Sequence, residues 1–157
     1  MRLEYFQLID RIVDLKLADR KIASEATIPS TSTIFEGHFP GFPLMPGVLL
    51  IEAMAQTSGW LVVAVNRFER MPFLAAVKDA KFRMFVTPGH KLSVKADLVH
   101  EGSGYAVTKA IIFFDGKPIC DATLTLRVLD FPNAEMKLRM REAAARVGFP
   151  AEVGGNG

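Results

Sequence analysis

From Gly47 to Val65 the chain reads GVLLIEAMAQTSGWLVVAV, 19 residues with hardly a break in apolar character. A run of this kind has two physical solutions. It crosses a bilayer, which takes about 20 apolar residues, or it lies inside a protein core that wraps it on most sides. Glu52, Gln56, Thr57 and Ser58 fall near its centre. A carboxylate at mid-bilayer costs about 2.5–3.5 kcal/mol on insertion scales, so the buried core helix is the better reading. No basic segment with a cleavage site follows Met1, so no signal peptide is expected and a cytoplasmic protein is. The 157 residues suit one domain, and a chain that is 50% hydrophobic and 23% charged is not disordered. A formal net charge of +2 does not point to nucleic acid but allows an acidic partner. Cys120 is the single cysteine, which excludes an internal disulfide and any CxxC motif.

The segment before the helix is as restrictive as the helix itself. Gly37 to Gly47 holds three prolines and three glycines in 11 residues, a composition that forbids regular structure and gives a stiff loop. Pro46 suits the first helical turn, where a missing N–H does no harm, and the helix is expected to end near Asn66. Upstream, Leu3 to Val13 is ambiguous between helix and strand, Lys21 to Ile28 reads as a strand and Ser30 to Thr33 as a turn or loop. Downstream, Phe73 to Val86 is rich in β-branched and aromatic residues. Leu92, Val94, Ala96 and Leu98 alternate with Lys91, Ser93, Lys95 and Asp97, the period of a half-buried strand. Tyr105 to Phe114 and Ile119 to Leu129 are strands joined by Asp115-Gly116, a hairpin signal. Three or four antiparallel strands thus follow one long apolar helix. The simplest way to bury both is an α+β architecture in which a curved antiparallel sheet wraps the helix. Residues 1–131 form the single domain, and 132–157 a C-terminal helical extension with a frayed end. Met136, Met140, Ala143 and Val147 share one face of that extension, which reads as an amphipathic surface helix.

Two residues carry the candidate chemistry, His38 in the stiff loop and Glu52 in the apolar helix. Taken singly, His38 is a polar surface residue and Glu52 a paired structural carboxylate. Taken together they are an acid and a base in separate environments. Glu52 lies about 9 Å along the helix from Pro46, and Gln56 at i+4 can hydrogen-bond it. Burial among Leu50, Ile51, Ala53 and Met54 favours the protonated carboxyl, as a general acid requires. A neutral His38 is a candidate general base. The first N–H groups of the helix have no intrahelical acceptor. No Ser, Thr, Asp or Asn stands at the expected cap, where Met45 lies. Gly47 lets another molecule approach closely, so the N–H groups of Gly47 and Val48 are candidates for binding a carbonyl oxygen that gains negative charge. A simply solvated helix start is the alternative.

The block GHFPGFPLMPGVLLIEAMAQ resembles the signature of the β-hydroxyacyl-acyl-carrier-protein dehydratases of fatty-acid synthesis, the FabA/FabZ-like family. The resemblance covers roughly Phe6 to Leu129. It implies the hot-dog fold, a long helix wrapped by a curved antiparallel sheet, in agreement with the architecture argued from the residues. By position, His38 matches the family's catalytic histidine and Glu52 its acid, which is Glu as in the dehydratase-only branch. Gly47 matches the glycine whose N–H binds the thioester carbonyl, and Gln56 the glutamine that supports the acid. Val48, Phe39 and Leu44 join Gly47 and Gln56 as expected substrate contacts. The resemblance further implies acyl carrier protein as partner, and no metal or other cofactor. It also implies a homodimer whose sites each take histidine and acid from different protomers, or a hexamer built from such dimers. The chain departs from the pattern at Phe42, where Arg is common, and at His90, where Asp is common. Its N-terminal segment is short, and an extension follows Phe131. This pattern is similar to that of the specialised dehydratases that serve very-long-chain hydroxyacyl groups for lipid A.

A basic surface is expected to face the acidic carrier, with Arg67, Arg70, Lys78, Lys81 and Arg83 as candidates beside the reading of ordinary solvated charge. His90 and His100 have no metal-ligand company in the sequence. Trp60 and the phenylalanines are expected in the core or along an acyl tunnel, and Cys120 in a buried strand. Two alternatives stand beside the dehydratase. An acyl-thioester hydrolase on the same fold would use the helix carboxylate without needing the histidine loop. A non-catalytic acyl-binding protein would retain only the fold.

Overall fold

The computed structural model describes residues 1–153; the expected frayed end, Gly154 to Gly157, lies outside them. A 3-10 turn, Leu3–Tyr5, precedes β1 (Arg11–Lys16) and β2 (Lys21–Thr27). A short helix α1 (Thr33–Gly37) leads into the proline-rich loop and then α2 (Gly47–Val65). Four strands follow, β3 (Arg70–Phe82), β4 (Lys91–Gly102), β5 (Tyr105–Phe114) and β6 (Lys117–Asp130), and the described chain closes with α3 (Ala134–Arg146) and a 3-10 turn. The strands form one antiparallel sheet in the order β1-β2-β4-β5-β6-β3. It wraps α2, which packs against every strand from β2 to β6. This is the hot-dog fold.

The alternation in β4 is realised: Leu92, Val94, Ala96 and Leu98 are buried against α2 while Lys91, Lys95 and Asp97 face solvent. Asp115 and Gly116 both have positive φ, 48° and 74°, the backbone that a two-residue hairpin loop between right-twisted strands requires. The apolar stretch that raised the membrane question is the core helix, with Ala53, Met54, Leu61 and Val63 all fully enclosed. Its polar interruption divides by face. Thr57 and Ser58 point at the sheet and are completely buried. Ser24 Oγ and Thr57 Oγ1 lie 2.6 Å apart, Thr57 donates onward to the Ala53 carbonyl, and Thr108 donates to Ser58 at 2.8 Å. Every one of these hydroxyls has a partner, as burial demands. Glu52, Gln56 and Gly59 form a half-buried stripe on the side away from those pairs.

Several sequence expectations need correction. The ambiguous N-terminal segment divides into the 3-10 turn and the start of β1. The turn expected at Ser30 to Thr33 runs straight into α1, with Ser32 as N-cap, its side chain accepting from the Ile34 N–H at 3.2 Å. Pro46, not Met45, occupies the cap of α2, and the first helical residue is Gly47. The third strand begins at Arg70 and stops at Phe82, four residues before Val86. The phenylalanines are not mainly core: Phe35 and Phe68 are buried, but Phe6, Phe39, Phe42, Phe73, Phe82 and Phe85 are exposed. Cys120 is buried in β6 as expected. The extension is more than a surface helix, because Ala144 and Val147 belong to the core and Met140 and Ala143 pack against it.

Candidate active site

The loop that carries His38 is tied from several directions. The His38 N–H donates to Ile34 of α1, and the His38 carbonyl accepts the Leu44 N–H, both at 2.9 Å. Phe39 and Phe42 exchange backbone hydrogen bonds at 3.0 and 2.8 Å, and the Met45 N–H donates to Val86. The His38–Phe39 peptide is cis, and the Phe39 ring stacks on the imidazole with centroids 4.1 Å apart. The imidazole Nδ1 lies 2.9 Å from the Leu44 carbonyl oxygen. A carbonyl can only accept, so Nδ1 carries the proton in this pair and the neutral ring offers the lone pair of Nε2. That is the tautomer a general base needs. Leu44 is itself buried; its link to the histidine is this backbone carbonyl. Phe39 and Val48 are exposed, Val48 at 71%.

Glu52 is half-buried, and loss of hydration raises its pKa above the ordinary 4.5; a hydrogen bond from Gln56 pulls the other way. Gln56 is fully committed. Its Oε1 accepts the Leu8 N–H at 3.0 Å, while its Nε2 donates to the Phe6 carbonyl at 2.8 Å and to Glu52 Oε1 at 3.2 Å. The N-terminal segment therefore fixes the amide, and the amide fixes the carboxyl. At the start of α2, the N–H groups of Gly47 and Val48 make no hydrogen bond among the described residues. A Cβ on Gly47 would come within 3.0 Å of the Phe82 ring. The group that approaches Gly47 closely in the free chain is thus Phe82, from the end of β3.

A cavity of about 650 Å³ opens beside Glu52 and runs past Gln56, Gly59 and Trp60. Its far walls are β3 at Met71, Pro72 and Leu74, and α3 at Met140 and Ala143. His38 does not line it. Sequence reasoning missed the Leu44 carbonyl, the backbone of Phe6 and Leu8, the Phe82 ring and the α3 wall. Apart from Leu44, each lies tens of residues from the group it serves, and no local pattern marks it.

The candidate carrier-facing cations fall into two places. Because β3 runs antiparallel to β6 and ends against Gly47, Lys81 and Arg83 flank Phe82 near the start of α2, with Lys78 earlier along the same exposed strand. Arg67 and Arg70 follow the other end of α2, about 28 Å away at 1.5 Å per residue. Arg70 pairs with Asp130 at 3.5 Å and Arg83 pairs with Asp121. His90 stacks on Phe114 and contacts Thr87, and His100 stacks on Tyr105.

The model of the FabA-like domain matches residues 2–123. The 3-hydroxyacyl-[acyl-carrier-protein] dehydratase FabZ of Latilactobacillus sakei is 40% identical over 119 residues, 75% of this chain and 84% of the relative. The bifunctional enzyme LpxC/FabZ of Chlorobaculum tepidum is 38% identical over 130 residues, 82% of this chain but 28% of that longer protein. Among solved structures, the dehydratase heterocomplex ApeI:P from Xenorhabdus doucetiae shares the fold, with a TM-score of 0.63 at 16% identity over 87% of this chain and 90% of that one. A family model spanning the histidine loop, the central helix and most of the sheet, with FabZ relatives covering most of both chains, makes this chain a member of the FabA-like family.

Proposed function

We propose that the protein reversibly dehydrates (3R)-3-hydroxyacyl thioesters carried on acyl carrier protein, giving trans-2-enoyl thioesters. It acts as a cytoplasmic homodimer with His38 and Glu52 as the working pair. The observation that carries the reading is the complementary state of those two groups. His38 is held with Nε2 free to accept a proton, and burial keeps Glu52 inclined to hold one.

The thioester acidifies its own α carbon, so the first proton can pass to His38 Nε2. Negative charge then develops on the thioester oxygen, where the unpartnered N–H groups of Gly47 and Val48, at the positive end of the α2 dipole, stabilise it. The electron pair left on the α carbon forms the double bond as the C–O bond at the β carbon breaks. The departing hydroxyl takes the Glu52 proton and leaves as water. Proton return from His38 to Glu52 through solvent restores the site. Gln56 positions the carboxyl throughout.

The cavity beside Glu52 lacks His38 among its walls, which supports a site completed by a second protomer. Lys81 and Arg83 beside Phe82 are the cations best placed to meet an acidic carrier near the helix start, whereas Arg67 and Arg70 lie at the far end.

The test is hydration of a trans-2-enoyl carrier thioester, followed as loss of enoyl absorbance. His38→Ala and Glu52→Gln are each expected to lower kcat/KM by about 10²–10⁴-fold, the range for removing a general acid or base. Loss of absorbance matched by free thiol, with no 3-hydroxyacyl thioester formed, would instead make the protein a thioester hydrolase. Unchanged hydration in both variants would refute the assigned pair.

A further inference from the structure

The family model ends at residue 123, yet the cavity that begins at Glu52 is lined in part by residues beyond it. Met140 and Ala143 on α3 face this space. Their helix is firmly built. Asn133 caps its start, its side chain accepting the Met136 N–H at 2.8 Å. At its end, Gly148 adopts φ 70°. The Gly148 and Phe149 N–H groups return to the carbonyls of Ala145 and Ala144, at 3.2 and 2.9 Å. These are the paired bonds of a Schellman cap. Phe149 then packs on Trp60 and edge-on against Phe68, and the Val147 carbonyl accepts the Ile12 N–H of β1 at 2.7 Å. The helix is thus pinned to α2, to the Trp60 aromatic group and to the sheet edge.

We infer that α3 is the end wall of the acyl pocket, and that Met140 and Ala143 set the length of acyl chain the enzyme accepts. The inference rests on the dehydratase reading, which places the reacting carbons beside Glu52. From there the cavity follows Gln56, Gly59 and Trp60 for about 12 Å along the helix axis, the direction left for the chain's apolar tail. Gly59 lets the β3 wall come close, since a Cβ there would already touch Pro72 at 3.6 Å. The volume, about 650 Å³, falls within the range of small-molecule pockets. A pocket ended by a fixed wall discriminates by methylene count, because each methylene beyond the wall must displace packed side chains.

The experiment measures kcat/KM for 3-hydroxybutyryl, 3-hydroxydecanoyl and 3-hydroxyhexadecanoyl thioesters of acyl carrier protein, with the wild type, Ala143→Leu and Met140→Ala. The readout is the ratio of long-chain to short-chain kcat/KM. Ala143→Leu is expected to lower that ratio by about tenfold or more, and Met140→Ala to raise it by a similar factor. A helix that merely supports the fold would scale all three substrates together and leave the ratio unchanged in both variants, which would overturn the inference while the dehydratase reading stands. If Ala143→Leu fails to fold, the ratio in Met140→Ala decides alone. A wild type inactive on all three substrates would overturn the underlying reading, and this inference with it.

Discussion

In the proposed dehydratase, Glu52 would serve chemistry at a cost to the fold. Desolvation raises its pKa above 4.5, and the hydrogen bond from Gln56 offsets only part of this. A carboxyl with a raised folded pKa binds its proton more tightly when native. Its stabilising contribution is complete below the unfolded pKa and is lost as pH rises through the folded value. Glu52→Gln removes that dependence, since an amide does not titrate. The variant is therefore expected to gain thermal stability relative to the wild type as pH rises from about 4 to 8, while losing activity. Thermal unfolding of both proteins across that range checks it, and parallel curves would mean that Glu52 carries no such burden. At this scale the sequence was informative. An acid in an apolar helix, an amide one turn on and a histidine in a proline-stiffened loop were all visible. What it lacked was the second atom of each contact: the Leu44 carbonyl that sets the His38 tautomer, and the Phe6 and Leu8 backbone that fixes Gln56.

Among the elements, legibility followed how strictly each face was imposed. In β4, one face meets the core and one meets water, so the alternation marked the strand and its buried face together. α2 was legible for the opposite reason, being apolar nearly all round and therefore enclosed. β1 was not legible; its residues are half-buried at best, and it bulges between Ile12 and Asp14. α1 has only five residues, too few for a period. The buried hydroxyls of α2 were read as an interruption because their partners lie on other strands. Ser58→Ala is expected to cost about 1–3 kcal/mol, because it leaves the fully buried Thr108 hydroxyl without its acceptor. Adding Thr108→Val should recover part of that loss by removing the stranded donor. Urea unfolding of the two single variants and the double variant measures the coupling. Strict additivity would show that the pair contributes nothing beyond its separate side chains.

For the whole molecule, the surplus of apolar residues has no single destination. Much of it fills the core, but among the described residues β3 pairs only with β6 and leaves its other edge open. Along that edge strand Phe73, Leu74, Val77 and Phe82 remain about 40–47% exposed. A long open edge carrying apolar side chains is a pairing surface unless something covers it, and in the proposed homodimer a second copy of the chain would cover it by two-fold symmetry. Such a dimer would account for the aromatic residues that were expected inside one chain and lie on its surface: a sequence does not distinguish residues buried within a protomer from those buried between two. It would also account for the absence of His38 from the cavity at Glu52. A charge at the centre of the edge should separate the protomers without touching either catalytic group. Val77→Lys is expected to shift the protein from dimer to monomer in sedimentation, and to lower enoyl hydration in parallel. A fully active monomer would refute the shared site. The complementary experiment mixes inactive His38→Ala with inactive Glu52→Gln under conditions that allow protomers to exchange. Each mixed dimer then holds one intact site, so random exchange should restore about a quarter of the wild-type sites. If mixed dimers form but no activity returns, both groups of each site come from one chain, and the split arrangement is wrong.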